Sequence, residues 1–367
     1  MQYLTRLKRL PIYSEEARLD ALLITHLPNI RYLCGFTGSS AVLTFCRGVW
    51  ELFTDGRYTE QARKEVKGAT VRVDATPPLA HAARSTTSKL KKSRVVARIA
   101  IERDYMTLAM QERFASELER AMPKPKFRIV QTTGTVERLR VKKDEEEVEQ
   151  IRKAVNLGSS VFPKVLDAIE PRITENAVAA ELDYLARKSG AEKMSFDTIV
   201  ASGIRSALPH ARPSLKRIGR GFVVLDYGVI LGGYCSDMTR TVCVGRADAA
   251  KRNLYSAVLE AQLAGIAAVR SGVEAQQVDA AARTVLRKHK LDRYFTHSLG
   301  HGVGIEIHES PRLAKGETQR LEAGMVVTIE PGVYVPGKGG VRIEDMILVT
   351  DTGCEVLTPT PKELVIR

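Results

Sequence analysis

Cysteine and long apolar runs are scarce in this chain, and each shortage removes a class of protein. Only five cysteines (Cys34, Cys46, Cys235, Cys243, Cys354) occur among 367 residues. Their number is odd, they are scattered, and none forms a CxxC pair. That excludes a disulfide framework and a thiolate zinc site, and leaves reduced, mostly buried thiols as the expectation. No apolar run approaches the roughly 20 residues that a membrane-spanning helix needs. The start, MQYLTRLKRLPIYSEE, carries basic residues without the apolar core of a signal peptide. The chain therefore reads as cytoplasmic, with no membrane partner. Hydrophobic residues make up 44% and charged residues 27%, an ordinary globular balance with length enough for two domains.

Positive charge is what the chain has in excess. A formal charge of +13 first suggests nucleic acid. Residues 1–142 hold 26 Lys/Arg against 14 Asp/Glu, whereas residues 143–367 hold 30 against 29. The excess thus belongs to the front of the chain, dispersed there apart from Lys89, Lys91, Lys92 and Arg94. No aromatic residues interleave with that cluster, as a single-strand platform requires. A solvated basic face is the expectation, and nucleic acid is set aside as a partner.

The patterning predicts an α+β protein in two parts. From residue 20 to 130, strand-like runs (Ala21–Thr25, Ala41–Phe45, Val71–Asp74, Val95–Ile101) alternate with helical patterns (Tyr58–Val66, Thr107–Glu119), as in a small α/β domain. Pro123-Lys-Pro125 and the polar stretch Thr132–Thr135 mark its end. Domain boundaries are expected at 1–131 and 144–367, joined by a linker at 132–143. The second part opens with a charged helix near Asp144-Glu-Glu-Glu147, whose acids suit the positive end of a helix dipole. Three more helices follow, from Thr174 to about Ser189, about Ala249–Arg270 and about Gln276–Lys290. Two strand-rich stretches, 222–244 and 325–350, share a pattern: Leu225-Asp226-Tyr-Gly228-Val and Ile329-Glu330-Pro-Gly332-Val, each followed by a glycine-rich turn and a strand bearing a second acid. A helix pair plus an acid-bearing hairpin, occurring twice, predicts a pseudo-twofold domain.

The acids carry the chemical argument. Asp226 and Asp237 are symmetric about Leu231-Gly232, and Glu330 and Glu344 are symmetric about Gly337. Each pair should therefore lie nearly opposite on adjacent antiparallel strands, with Cβ atoms about 4.5–5.5 Å apart. Carboxylates held so close repel unless a cation or a shared proton lies between them. Asp226 and Glu330 also interrupt buried apolar runs, where an unpaired charge is costly. Four carboxylates with one imidazole, His301, suit two divalent ions such as Mn²⁺, Co²⁺, Zn²⁺ or Fe²⁺. His297 and His301 stand four apart, but Ser298 replaces the essential Glu of a helical HExxH site, and Gly300, Gly302 and Gly304 forbid a stable helix. A strand or loop that needs glycine for close backbone approach fits better. His210 and His308, taken alone, read as ordinary surface residues.

Together these residues resemble the Xaa-Pro peptidases of the pita-bread metallopeptidases (aminopeptidase P and prolidase). The likeness is carried by IVASGIRSALPHARP, VVLDYGVILGGYCSDMTRT, THSLGHGVGIEIHESP and VVTIEPGVYVPGKGGVRIED, and in front by NIRYLCGFTGSSAVL and FTDGRYTEQA. It implies a pita-bread catalytic domain behind a creatinase-like N-terminal domain. It implies Asp226, Asp237, His301, Glu330 and Glu344 as metal ligands, with manganese the first choice of ion, and Glu330 as the carboxylate that takes a proton from the attacking water. It further implies His210, His297 and His308 as substrate-binding or proton-transferring groups, and Arg342 as an arginine near the substrate. The expected substrates are short peptides with proline at the second position. The expected activity is an Xaa-Pro aminopeptidase, with an Xaa-Pro dipeptidase as the alternative, in a homodimer. One departure, Phe222 where the family often has Asp after Gly221, lies outside the site. Arg57, Tyr58 and the loop Phe36–Ser40 are candidates for setting substrate length. Methionine aminopeptidase fits less well, since it lacks a front domain, and creatinase lacks the metal ligands that are intact here.

Overall fold

The computed structural model describes residues 2–16, 19–91, 96–122, 126–170 and 172–367. The chain divides into two compact units, Met1–Arg140 and Val141–Arg367.

The first unit is built on a six-stranded mixed sheet, ordered Thr70–Val73, Val49–Thr54, Ala41–Cys46, Ala21–Ile24, Ala97–Glu102, Phe127–Thr132. The three middle strands pair antiparallel, and the outer strands join parallel. Ala21–Ile24 is buried at all four positions, as a central strand covered on both faces must be. The expected helices form as Thr59–Glu65 and Leu108–Ala121, the second capped by the Thr107 hydroxyl, which accepts from the Met110 N–H. Helices Tyr3–Glu16, Leu27–Cys34 and Pro78–Leu90 and the strands Val49–Thr54 and Phe127–Thr132 are additional to the sequence reading. Pro123, Lys124, Pro125, Lys92, Arg94 and Val95 lie outside the described residues. Lys89, from the basic cluster, is not free: its ammonium pairs with buried Glu51. All five cysteines are free thiols, and four are buried.

The second unit repeats one plan twice. Helices Glu145–Ala168 and Glu175–Lys188 pack on a three-stranded antiparallel sheet of Ile199–Ser202, Gly221–Tyr227 and Met238–Val244. Helices Ala249–Ala268 and Ala275–Lys288 pack on Gly300–Gly302, Val326–Ile329 and Asp345–Val349, extended on either side by Glu309–Leu313 and Cys354–Val356. Side-chain chemistry sets the helix starts. Asp144 and Glu147 form a reciprocal capping box, Thr174 and Asp248 cap their helices, and Glu274 pairs with Gln277. Each helix pair buries its apolar stripe on the outer face of its sheet, so the inner faces are left to carry polar groups. Among the described residues no helix is long and apolar enough to cross a membrane.

The two hairpins differ in register. Ile329 pairs with Asp345 and Gly332 with Arg342, a continuous alignment that sets Glu330 opposite Glu344, as expected. The first hairpin departs from expectation. Leu231 pairs with Tyr234, so the turn is Gly232-Gly233, one residue later than the sequence symmetry suggested, and both glycines have positive φ (58° and 82°). A two-residue turn of this kind needs φ above zero at both central positions, and only the glycine pair meets that without strain. Asp226 consequently faces Thr239 rather than Asp237. The slip is two residues in pairing, so both aspartates stay on one face as diagonal neighbours.

Candidate active site

The nine residues expected to hold metal, bind substrate or move protons, His210, Asp226, Asp237, His297, His301, His308, Glu330, Arg342 and Glu344, line one cavity of about 690 Å³. That size suits a small ligand. The acids come from the inner faces of the two half-sheets and the histidine from Gly300–Gly302, a strand inside the second of them. The glycines beside His301 are required by proximity: a Cβ on Gly300 would stand 2.0 Å from the Thr328 carbonyl oxygen, and one on Gly302 would stand 2.3 Å from that of Ser310. Only glycine lets this strand sit so tightly between its neighbours, and the imidazole is thereby carried onto the acids.

Ligand-type atoms of Asp237, His301 and Glu344 all lie within 4.8 Å of one another. His301 Nε2 is 3.6 Å from Asp237 Oδ2 and 3.4 Å from Glu330 Oε1. The His301 Nδ1–H donates to the Gly302 carbonyl at 3.0 Å, which leaves the Nε2 lone pair aimed at the carboxylates. Thr239 Oγ1 donates to Glu344 Oε2 at 2.7 Å, and Thr328 Oγ1 to Glu330 Oε1 at 3.2 Å. Asp226 Oδ2 is held by the Arg342 guanidinium.

The electrostatics are those of crowded, desolvated acids. Burial, then repulsion from Asp226 and Glu330, pushes the Asp237 carboxyl well above its usual range. Burial, then Asp237 and the other two acids, does the same to Glu344. Glu330 is pushed to about 8, chiefly by burial, against the pull of Arg342. His301 falls to about 4 through burial and the neighbouring His308, so it presents a neutral imidazole. Asp237 Oδ1 is buried with no hydrogen-bond partner among the described residues. A buried oxygen left without a partner is costly, and a divalent cation among Asp237, His301 and Glu344 would satisfy it. Oxygen donors with one neutral imidazole are a suitable set for such ions.

A relay of hydrogen bonds leads away from the acids. Arg342, 3% exposed, donates to Tyr334 Oη at 2.6 Å, to Thr239 Oγ1 at 3.1 Å and to the Pro209 carbonyl at 3.1 Å. His297 donates from Nδ1 to the Ser298 carbonyl at 2.8 Å. Burial lowers this ring to about 4, so Nε2 accepts the Tyr334 hydroxyl at 2.9 Å. Both nitrogens of His297 are thus engaged within the protein. His210 and His308 are exposed on the cavity wall. The His308 ring lies 4.3 Å from that of His301 and is held low by burial and by His210.

Sequence reasoning missed Arg312. It pairs across the strands with His301, which puts both on one face. It lines the cavity, is exposed, and makes no ion pair among the described residues. A lone arginine after Ser310-Pro311 carries no periodic signal, so only the pairing reveals it.

This geometry agrees with comparisons over the whole chain. Residues 149–351 match the model of metallopeptidase family M24, and residues 6–142 match the creatinase/prolidase N-terminal domain. An Xaa-Pro dipeptidase of Pyrococcus horikoshii is 42% identical over 69% of this chain and 72% of its own. The solved structure of an Xaa-Pro dipeptidase from Bacillus anthracis is 38% identical, covers both chains completely and superposes with a TM-score of 0.93. That of an X-Pro aminopeptidase from Thermotoga maritima is 35% identical over 97% of this chain and 100% of its own, with a TM-score of 0.87. The chain belongs to metallopeptidase family M24, as a two-domain metallo-exopeptidase with a creatinase/prolidase-type N-terminal domain.

Proposed function

We propose that the protein is an Xaa-Pro dipeptidase, cleaving dipeptides whose second residue is proline. Dipeptidase in place of the aminopeptidase expected from the sequence is favoured by one observation above all. Arg312, the cross-strand partner of His301, is an uncommitted cation on the wall beside the acids. A dipeptide ends in a carboxylate one residue from the scissile bond, and a guanidinium fork matches that group. A longer peptide has a neutral amide there. The names of the Pyrococcus and Bacillus relatives agree with this choice.

Asp226, Asp237, His301, Glu330 and Glu344 would hold two divalent ions, which supply Lewis acidity and lower the pKa of water at neutral pH. The chain's own groups do the rest. Glu330, whose Oε1 accepts from the Thr328 hydroxyl, is suited to take a proton from the attacking water and return it. His308, neutral and exposed beside His301, is placed to donate to the developing oxyanion. His210, which also lines the cavity, is available to the departing proline nitrogen. Arg342 and Tyr334 hold His297 and Asp226 in place. Proline has no N–H and a fixed φ, so recognition falls on the ring and its carboxylate rather than on a backbone bond.

The test is to assay the manganese-reconstituted protein on Ala-Pro and on Ala-Pro-Ala. The expected result is rapid hydrolysis of the dipeptide and at least tenfold lower kcat/KM on the tripeptide. Equal or faster cleavage of the tripeptide restores the aminopeptidase reading, and activity on neither with metal bound removes the proline preference altogether.

A further inference from the structure

Two half-sheets must meet in a fixed register for their carboxylates to share ions, and behind the acids at that seam lies the buried Arg240–Asp345 ion pair. Arg240 follows Thr239 on the strand Met238–Val244 of the first half. Asp345 follows Glu344 at the start of Asp345–Val349 in the second. Because strand side chains alternate, Thr239 and Glu344 face the acids while Arg240 and Asp345 lie beneath them. Arg240 is 1% exposed and Asp345 is fully buried.

At this point of the seam the Glu344 N–H donates to the Thr239 carbonyl at 3.1 Å. The Arg240 guanidinium braces it from below. Its Nη1 donates to both the Thr239 carbonyl (3.0 Å) and the Glu344 carbonyl (2.6 Å), and Nη2 donates to Asp345 Oδ1 at 2.7 Å. Remaining donors reach the carbonyls of Thr360 (2.6 Å) and Pro361 (3.0 Å) in the C-terminal segment. Asp345 Oδ2 in turn accepts from Gln262 at 2.8 Å and from Lys362 at 2.7 Å. Every strong donor and acceptor of the pair is used. One guanidinium thereby touches the backbone of a residue from each half, directly under the Thr239–Glu344 side-chain bond at the metal cluster.

We infer that Arg240 and Asp345, fastened by Lys362, are positioning residues that set the two acid-bearing halves in register for metal. They touch neither ion nor substrate. A buried ion pair is weak evidence of stability for its own sake, because desolvation opposes attraction. What this one supplies is direction, since its bonds converge on the two backbone carbonyls that fix where Glu344 and Thr239 stand. Groups placed like this behind metal ligands alter affinity about 10–100-fold when removed.

The inference rests on the ligand set proposed above, and calorimetric titration of the metal-free full chain with Mn²⁺ separates the two. Wild type should bind, and Glu344→Gln should lose most of the affinity. If wild type does not bind, or Glu344→Gln binds as tightly as wild type, the ligand set fails. With those controls in place, Asp345→Asn should weaken Mn²⁺ binding at least tenfold while the protein still melts cooperatively above the titration temperature. Lys362→Met, at a side chain 22% exposed, should weaken it at least threefold and settles the matter should Asp345→Asn not fold. Adding Arg240→Lys, which keeps the charge but loses the fork, should not restore binding. Folded variants with lowered melting temperature but affinity within twofold of wild type would overturn the inference and leave the pair a purely structural one.

Discussion

Replacing Arg312 by Met separates recognition of the dipeptide's end from everything else the cavity does. The aliphatic stem of Arg312 is kept, so packing changes little, and only the guanidinium is lost. Its magnitude follows from its surroundings. A hydrogen bond to a charged group is worth about 1.5–3 kcal/mol when sheltered, and an exposed ion pair about 0.2–1 kcal/mol. Arg312 is exposed but stands on a cavity wall beside half-buried His301, so about 1.4 kcal/mol is appropriate, or roughly tenfold in kcat/KM. The carboxylate is bound alike in ground and transition states, so the loss should fall on KM with kcat nearly unchanged. Steady-state kinetics on Ala-Pro and on alanyl-proline amide make the comparison. The acid should lose about tenfold and the amide less than twofold. An equal loss on both, or none on Ala-Pro, would refute the assignment of Arg312 to the substrate carboxylate.

Other outcomes follow from the same geometry. Glu330→Gln should lower kcat at least about 100-fold, the scale of lost general-base assistance, and near-normal turnover would remove Glu330 from that role. Stripping the metals should make stability fall as pH rises. Glu330 goes from 4.5 to about 8 in the fold, and Asp237 and Glu344 are raised with it. The metal-free native state therefore binds more protons than the unfolded chain between about pH 4.5 and 8 and loses stability across that window. Melting temperatures of metal-free and manganese-loaded protein at pH 5 and pH 8 check this, and a metal-free protein more stable at pH 8 contradicts it. His297 has the opposite sign. Its pKa falls from 6.5 to about 4, so the unfolded chain binds the extra proton and stability drops as pH falls from 6.5 to 4. His297→Gln should flatten that stretch of the stability curve. Gly300→Ala drives a methyl to 2.0 Å from a backbone oxygen. At about 3 kcal/mol for such overpacking, it should lower the melting temperature by roughly 6–12 °C, whereas an unchanged value would show that the strand gives way easily.

Much of the site was legible because its acids break local rules. Asp226 and Glu330 stand inside apolar β runs, and a charge in such a place signals a partner that the sequence does not show. The four helices of the second unit were legible from local signals such as the acidic start at Asp144–Glu147 and the cap Thr174, which report local chemistry. Register was less legible. In the first hairpin two adjacent glycines admitted turns one residue apart, and symmetry of the acids chose the wrong one; the requirement for positive φ at both turn positions chose the other. In the first unit, Val49–Thr54 follows Ala41–Cys46 through Arg47-Gly48, where a non-glycine residue takes a positive φ of 49°, so the turn chemistry gives little warning. Arg312 and Arg240 were invisible for a different reason. One is defined by its cross-strand partner and the other by carbonyls far along the chain, and neither relation leaves a trace in spacing.

Metal content shows whether the two acid-bearing hairpins and His301 hold a pair of divalent ions. Full-length protein dialysed against Mn²⁺, freed of unbound ion and measured by elemental analysis should retain two ions per chain, with Asp237→Asn retaining at most one. Wild-type protein that folds normally yet retains no divalent ion at saturating Mn²⁺, Co²⁺, Zn²⁺ or Fe²⁺ would show that they do not.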